Sequence, residues 1–234
     1  MNASQSYQMK NSKLAALVPM RHHSQRVPGK NYRPLAGKPL FHHIIETLLA
    51  VPEIDGIVVD TDSEPVMDGL SRHFPQVKII NRPENLRAEN VPMNDILLYD
   101  TDQVQAGFYL QTHSTNPLLK PETVSRAIKS FLADYPARDS LFSVTRLQTR
   151  LYDQNGRAIN HDPEVLIQTQ DLPPVYEENS CLYIFTRENL LKRHHRIGEK
   201  PMMFEIDADE AWDIDAELDF EICNFLLSKL ENKS

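Results

Sequence analysis

The sequence predicts an α/β fold, a largely parallel sheet wrapped by helices, and three observations carry that prediction. Short apolar runs alternate with longer helix-like segments along most of the chain. The first run, Leu14 to Val18, leads directly into a polar, cation-bearing loop that includes Arg21, Ser24, Arg26, Lys30 and Asn31. An α/β sheet gathers its ligands at the carboxyl ends of its strands, so that loop lies where a nucleotide's phosphates would lie. The 234 residues suffice for one substantial domain with a buried core, and the alternation breaks only once.

Leu14 to Val18 is the first strand. Leu40, Ile44, Ile45 and Leu48 give Pro39 to Val51 helical spacing, Gly56 to Thr61 reads as a buried strand, and Glu64 to Phe74 as a helix. Asp60-Thr61-Asp62-Ser63 ends that strand and is expected to shape the loop and cap the helix. Val77 to Ile80, Phe108 to Gln111 and Leu141 to Val144 are further strands, separated by helices over Met93 to Gln105 and, opened by proline, Pro121 to Tyr135. Asp100-Thr101-Asp102 falls within the first of these helices and is expected at its surface. Between Thr145 and Val175 the turn signals Asp-Gln-Asn-Gly, His-Asp-Pro and Leu-Pro-Pro replace periodicity, as in an inserted arm. Ser180 to Phe185 and Met202 to Ile206 then read as strands, Glu188 to His194 as a short helix, and Ala216 to Leu230 as a final amphipathic helix.

Composition narrows the function. With 25 basic against 33 acidic residues, net charge −8, the chain lacks the general basic face of a nucleic-acid binder, so any anion must be met locally. Cys181 and Cys223 sit in apolar surroundings without metal-ligand spacing and read as buried thiols of a reducing compartment. The N-terminus is polar, without the apolar stretch of a signal peptide, and no run approaches the roughly 20 apolar residues of a membrane span. The expectation is a cytoplasmic protein with no membrane partner.

Only seven glycines are present, in neither a Gly-x-Gly-x-x-Gly turn nor a Walker loop, so phosphates would be held by side chains. Arg21 and Arg26 offer planar forks and Lys30 a mobile point charge, with Ser24 and Asn31 as neutral partners. A solvated basic loop has the same composition. Asp213 and Asp215, two apart, would face one way in an extended segment and could approach one Mg²⁺; alternatively they precede a helix, Asp215 capping it. The histidine pairs His22-His23, His42-His43 and His194-His195 lack zinc spacing, though His22 and His23 lie in the cationic loop. Trp212 reads as a packing anchor.

Six segments in order now carry a resemblance. Arg21-x-x-Ser24-x-Arg26-x-Pro28-x-Lys30-Asn31 with Leu35-x-Gly37-Lys38-Pro39-Leu40, then Asp60-Thr61-Asp62-Ser63, Asn81-Arg82-Pro83-x-x-Leu86, Leu110-Gln111, Glu178-Asn179 before Tyr183, and Asp213-Ile214-Asp215-x-Glu217-x-Asp219 are similar to the acylneuraminate cytidylyltransferases, also called CMP-sialic acid synthetases. The resemblance implies a single cytidylyltransferase domain with a Rossmann-like nucleotidyltransferase fold. It implies CTP and a sugar acid as substrates, Mg²⁺ as cofactor, and a homodimer or higher homo-oligomer built through the arm at 145–175. Carried over by motif, Arg21, Lys30 and Asp215 are catalytic, and Arg21, Ser24, Arg26, Lys30, Asn31 and Arg82 bind nucleotide. Gln111, Ser114, Asn179 and Tyr183 bind the acid, and Asp213 and Asp215 hold the metal. The chain departs from the pattern in two places. Gln111 to Leu119 is longer than the family's Gln-Pro-Thr-Ser-Pro-Leu-Arg and lacks its arginine, and Asn179-Ser180 replaces Asn-Gly. A glycosyltransferase of the GT-A type, using Asp60 and Asp62, and a nucleotide-binding protein without catalysis are the alternatives.

Overall fold

The computed structural model describes residues 13–231. Residues 1–12, most of the polar stretch read as lacking a signal peptide, lie outside the described residues. The chain runs β1 (Leu14–Met20), a hairpin of β2 (Pro34–Leu35) and β3 (Lys38–Pro39), α1 (Leu40–Leu49), β4 (Gly56–Thr61), α2 (Glu64–His73), β5 (Lys78–Asn81), α3 (Met93–Gln103) and β6 (Phe108–Gln111). It continues through α4 (Pro121–Asp134), β7 (Ser140–Leu147), β8 (Val175–Phe185), α5 (Arg187–Arg193), β9 (Pro201–Glu205) and α6 (Glu217–Glu231).

Seven strands form one sheet in the order β5-β4-β1-β6-β8-β7-β9, and β8 alone runs against its neighbours. β1 is buried at every position because it lies inside the sheet with both faces covered. From β1 the chain moves outward through β4 to β5, then returns to the other side of β1 with β6. That reversal leaves a crevice between the loops that follow β1 and β6.

Alternation along each strand divides the core. Ala16, Val18, Ile57, Val59, Leu110, Leu182 and Ile184 pack against Ile44, Ile45 and Leu48 of α1, Val66 and Leu70 of α2, and Val124, Ile128 and Phe131 of α4. Their neighbours Ala15, Leu17, Val58, Tyr109, Tyr183 and Phe185 point the other way, to Leu97 of α3 and Leu190 of α5. A third cluster of Val27, Leu35, Leu40, Ile214, Phe220 and Cys223 fastens α6 and the segment before it to the loop after β1, with Trp212 packed on it. Burying a side chain of this kind is worth roughly 1.5–3 kcal/mol, so the cluster holds two distant segments in fixed register.

Three expectations need correction. The β2–β3 hairpin had no strand signal, being two short prolyl segments around Ala36 and Gly37 at φ 43° and 81°. The break at 145–175 is narrower than expected: β7 continues to Leu147 and pairs there with Val175, leaving only 148–174 irregular. A register shift between Phe142 and Val144, with Ser180 at φ 59°, disrupts the alternation that would have shown the longer strands. Asp100 and Thr101 are buried, not superficial, and of this trio Asp102 is exposed and pairs with Arg187. Both cysteines are free and buried. Among the described residues no helix is long and apolar enough to cross a membrane.

Candidate functional site

The carboxyl ends of β1, β4, β5 and β6 open on one edge of the sheet, where a cleft of about 640 Å³ collects Arg21, His23, Ser24, Arg26, Lys30 and Asn31 from the loop after β1. Its other walls are Arg82 after β5, Met93 and Ile96 of α3, His113 to Thr115 after β6, Ser180, Arg196, Asp213 and Asp215. An adjoining groove of about 490 Å³ shares Ser180, Asp213 and Asp215 and adds Glu177, Glu178, Asn179 and Trp212.

The cationic loop is shaped from within. Asn31 is buried; its Nδ2 donates to the Arg21 carbonyl (2.8 Å) and its Oδ1 accepts from the Ser114 hydroxyl (2.7 Å), tying the loop after β1 to the loop after β6. Gly29, at φ 68°, starts the 3-10 turn Lys30–Tyr32, and a Cβ there would fall 2.9 Å from the Tyr32 ring. His22 turns away from the cleft, stacking on Tyr32 and bonding Ser63 Oγ through Nδ1 (2.9 Å), while its N–H donates to Asp62 Oδ1 (2.7 Å). Thr61, Asp62 and Ser63 therefore shape this loop, but the Ser63 side chain does not cap α2, because its hydroxyl faces His22.

Across the cleft the extended segment Asp213-Ile214-Asp215 alternates as expected: Ile214 is buried, and both flanking aspartates line the cleft. The Ile214 N–H donates to the Thr115 carbonyl (2.9 Å), and its carbonyl accepts from Lys30 Nζ (2.6 Å). Arg26 donates to Asp215 Oδ1 (2.7 Å) with both side chains largely exposed, an ion pair worth at most about 1 kcal/mol and readily exchanged for phosphate. The role of cap falls to Asp219, not Asp215: its Oδ2 accepts from the N–H groups of Asp215 (3.0 Å) and Ala216 (2.7 Å). Asp213 Oδ1 is buried without a partner, and burial raises the pKa of this carboxyl, with the Asp215 charge adding to it and a Thr115 bond opposing. Lys30 is shifted down by burial, against the pull of Asp213 and Asp215.

This donor set fits Mg²⁺. The ion takes one or two protein carboxylates and completes its shell with phosphate oxygens and water, and here two carboxylates, one with an orphaned oxygen, face the cationic loop. Among the described residues no group of three or more His, Cys, Asp or Glu offers an all-protein cage.

The remaining wall is built in two layers. Arg196, which no sequence motif singles out, lines the cleft with its guanidinium 3.5 Å from the centre of the Tyr183 ring and donates to Gln111 Oε1 (2.5 Å). With Oε1 so occupied, Gln111 Nε2 must donate to His113 Nε2 (3.0 Å). That assigns His113 as the neutral tautomer protonated at Nδ1. Burial first, then the charges of Arg196 and Lys30, hold its pKa down at about 3. Gln111 and Tyr183 thus stand behind the cleft lining, Tyr183 bonding Glu178 with its hydroxyl pushed up to about 12 by burial. Asn179 faces the adjoining groove, its amide engaged by Ser143 (2.5 Å) and Thr145 (3.0 Å). Arg82 is fully buried on the cleft wall, its Nε donating to Asp60 Oδ1 (2.6 Å).

A cationic loop and a carboxylate pair thus meet at the switch point of an α/β sheet, the place where sheets of this class bind nucleotides. The chain belongs to the cytidylyltransferase family, whose model matches residues 15–232, and is thereby a nucleotidyltransferase. The CMP-N,N'-diacetyllegionaminic acid synthase of Legionella pneumophila is 29% identical over 92% of this chain and 96% of its own length. The pseudaminic acid cytidylyltransferase of Campylobacter jejuni is 22% identical over 90% of this chain and 94% of its own, and N-acylneuraminate cytidylyltransferase A of Danio rerio 23% over 94% and 52%. Among solved structures, a CMP:2-keto-3-deoxy-manno-octonic acid synthetase complexed with CTP shares the fold, with TM-score 0.70 and 18% identity over 93% of this chain and 99% of that one.

The hydrogen-bond assignment of His113 is testable by nuclear magnetic resonance of histidine-labelled protein. His113 should stay neutral, protonated at Nδ1, between about pH 5 and about pH 8, and titration near the ordinary value of about 6.5 would contradict it. Because the unfolded imidazole binds a proton that the native one refuses, this residue should also cost stability as pH falls from about 6.5 toward about 3.

Proposed function

We propose that the chain is a cytoplasmic, Mg²⁺-dependent enzyme that transfers CMP from CTP to the anomeric hydroxyl of a 2-keto-3-deoxy sugar acid of the sialic type, releasing pyrophosphate. The observation that carries this reading is the opposition of Arg21, Arg26 and Lys30 to Asp213 and Asp215 across one cleft in a cytidylyltransferase. The names of the relatives, legionaminic, pseudaminic and N-acylneuraminic acid enzymes, support the acid class. In this reaction the C2 hydroxyl oxygen bonds to the α-phosphorus as the bond from that phosphorus to the bridging oxygen breaks. Pyrophosphate leaves with the bridging oxygen, and the hydroxyl proton passes to solvent.

Negative charge builds on the bridging and non-bridging oxygens, so catalysis rests on positioning and neutralisation. Arg21 and Lys30 meet the transferring phosphates, and Ser24, Arg26 and Asn31 flank them. Binding of the triphosphate also offsets the burial that disfavours charge on Lys30. Asp213 and Asp215 would hold Mg²⁺, which supplies further neutralisation of phosphate oxygens. Arg82 borders the nucleotide, while Ser114, His113 and Arg196 border the acid with Gln111 and Tyr183 supporting them; Asn179, in the adjoining groove, marks where the acid's tail would extend. The glycosyltransferase alternative loses its motif, since Arg82 occupies Asp60 and the His22 N–H occupies Asp62.

We also propose a homodimer or larger homo-oligomer built through the irregular segment 148–174. Tyr152, Ile159 and Val165 are exposed there, and Leu166 is 91% exposed. Sedimentation velocity should find a dimer or larger that Leu166→Asp with Val165→Asp weakens, whereas a wild-type monomer at micromolar concentration would contradict the proposal.

The test of the reaction is pyrophosphate release from CTP, with and without Mg²⁺, across eight- and nine-carbon 2-keto-3-deoxy acids, the other three triphosphates serving as controls. Release that needs one acid, CTP and Mg²⁺ is expected. CTP binding without turnover of any acid would favour the binding-only alternative. Lys30→Ala should lower kcat by about 10²- to 10³-fold while circular dichroism shows the fold retained, and near-normal turnover would remove Lys30 from the catalytic set.

A further inference from the structure

Beside the cleft, three buried polar atoms find no partner among ordinary hydrogen bonds: Arg82 Nη1, Asp60 Oδ2 and Asp100 Oδ1. Each of the three residues is 1% exposed. Asp60 lies on the face of β4 that turns, with Val58, toward α3, and Asp100 reaches it from α3. Arg82 follows β5, with its Nε on Asp60 Oδ1 (2.6 Å) and its Nη2 on the Asp60 carbonyl (3.2 Å). Asp60 and Arg82 are the charged groups that face Asp100.

If all three were ionised, one excess negative charge would be sealed away from water, at a cost that proteins avoid by protonating the group. Burial, followed by the hydrogen bond and charge of Asp60, pushes Asp100 up to about 9, against the opposing charge of Arg82. A single proton resolves two of the orphans, since Asp100 Oδ1–H can donate to Asp60 Oδ2.

We propose that Asp100 is a positioning residue for the nucleotide: held as the neutral acid, it donates to Asp60, locks Asp60 onto Arg82 Nε, and so fixes the Arg82 guanidinium in the wall of the cleft against which CTP would lie. The proposal rests on the reading of the cleft as the CTP site. It extends that reading to a helix residue that touches no substrate.

Kinetics and stability of three proteins test it. Asp100→Ala removes the donor and should raise the KM for CTP by about tenfold or more with the KM for the acid unchanged, and Asp100→Asn, which supplies an N–H in place of the O–H, should restore it. In the wild type the KM for CTP should climb as Asp100 ionises near pH 9, and in Asp100→Asn that rise should be absent. Stability gives a readout independent of activity. Between about pH 4 and about pH 9 the native wild type holds a proton that the unfolded chain has released, so its stability falls as pH rises across that window. The melting temperature of Asp100→Asn should therefore gain on the wild type from about pH 5 to about pH 8. An unchanged CTP KM in Asp100→Ala, an Asn variant as impaired as Ala, or a gap that stays constant with pH would overturn the proposal. A wild type that releases no pyrophosphate would instead defeat the functional reading, and the stability gap would still judge the shared proton.

Discussion

The backbone of Ile214 is the constraint on which the site depends. Its N–H is held by Thr115 in the loop after β6, and its carbonyl by Lys30 in the loop after β1, while its side chain is buried with Val27, Leu35, Leu40 and Phe220. One residue from the C-terminal part of the chain thereby clamps both loops of the switch point. Because the segment is extended, burying Ile214 obliges Asp213 and Asp215 to face the cleft. Asn31 repeats the clamp from the other side, joining the Arg21 carbonyl to Ser114. The position of Lys30 relative to the two carboxylates is thus a consequence of packing, and a transfer reaction that works by positioning needs such rigidity.

The charges around the cleft differ in how freely they can exchange partners. Arg26 and Asp215 pair in the open, where water competes and a phosphate or a cation can take either partner at little cost. Arg82 and Asp60 pair at 1% and 0% side-chain exposure, where separating them would strand a charge at a cost of about 3–5 kcal/mol. The cleft therefore combines a loose side, next to the proposed chemistry, with a stiff side that presents fixed donors. Its local cations also gather positive charge at one place in a chain of net charge −8.

The centre of the sheet was legible because β1, β4 and β6 are short, apolar and almost wholly buried, and because amphipathic helices separate them. That the cationic loop and the Asp213/Asp215 pair would meet at one cleft was legible from the loop's place after the first strand and from the alternation of an extended segment, while their residue types fitted a solvated loop and a helix N-terminus equally well. The β2–β3 hairpin was not legible, since two prolyl dipeptides carry no period. Arg196 was hidden in Lys192-Arg193-His194-His195-Arg196, a run that reads as solvated surface, and its partner Gln111 lies 85 residues away. Asp100 misled for a related reason. An acidic residue on a helix normally faces water, and only the three-dimensional meeting of β4, β5 and α3 supplies the partners that bury it. Long-range pairing of polar groups leaves no local trace, whereas hydrophobic alternation does.

The measurement that bears most directly on the account is a crystal structure of the chain grown with CTP and Mg²⁺. The triphosphate should lie in the cleft within hydrogen-bond reach of Arg21 and Lys30, with the metal between its oxygens and the Asp213/Asp215 pair. A nucleotide seated elsewhere, or one in this cleft with its phosphates remote from Lys30 and both aspartates, would contradict the central claim.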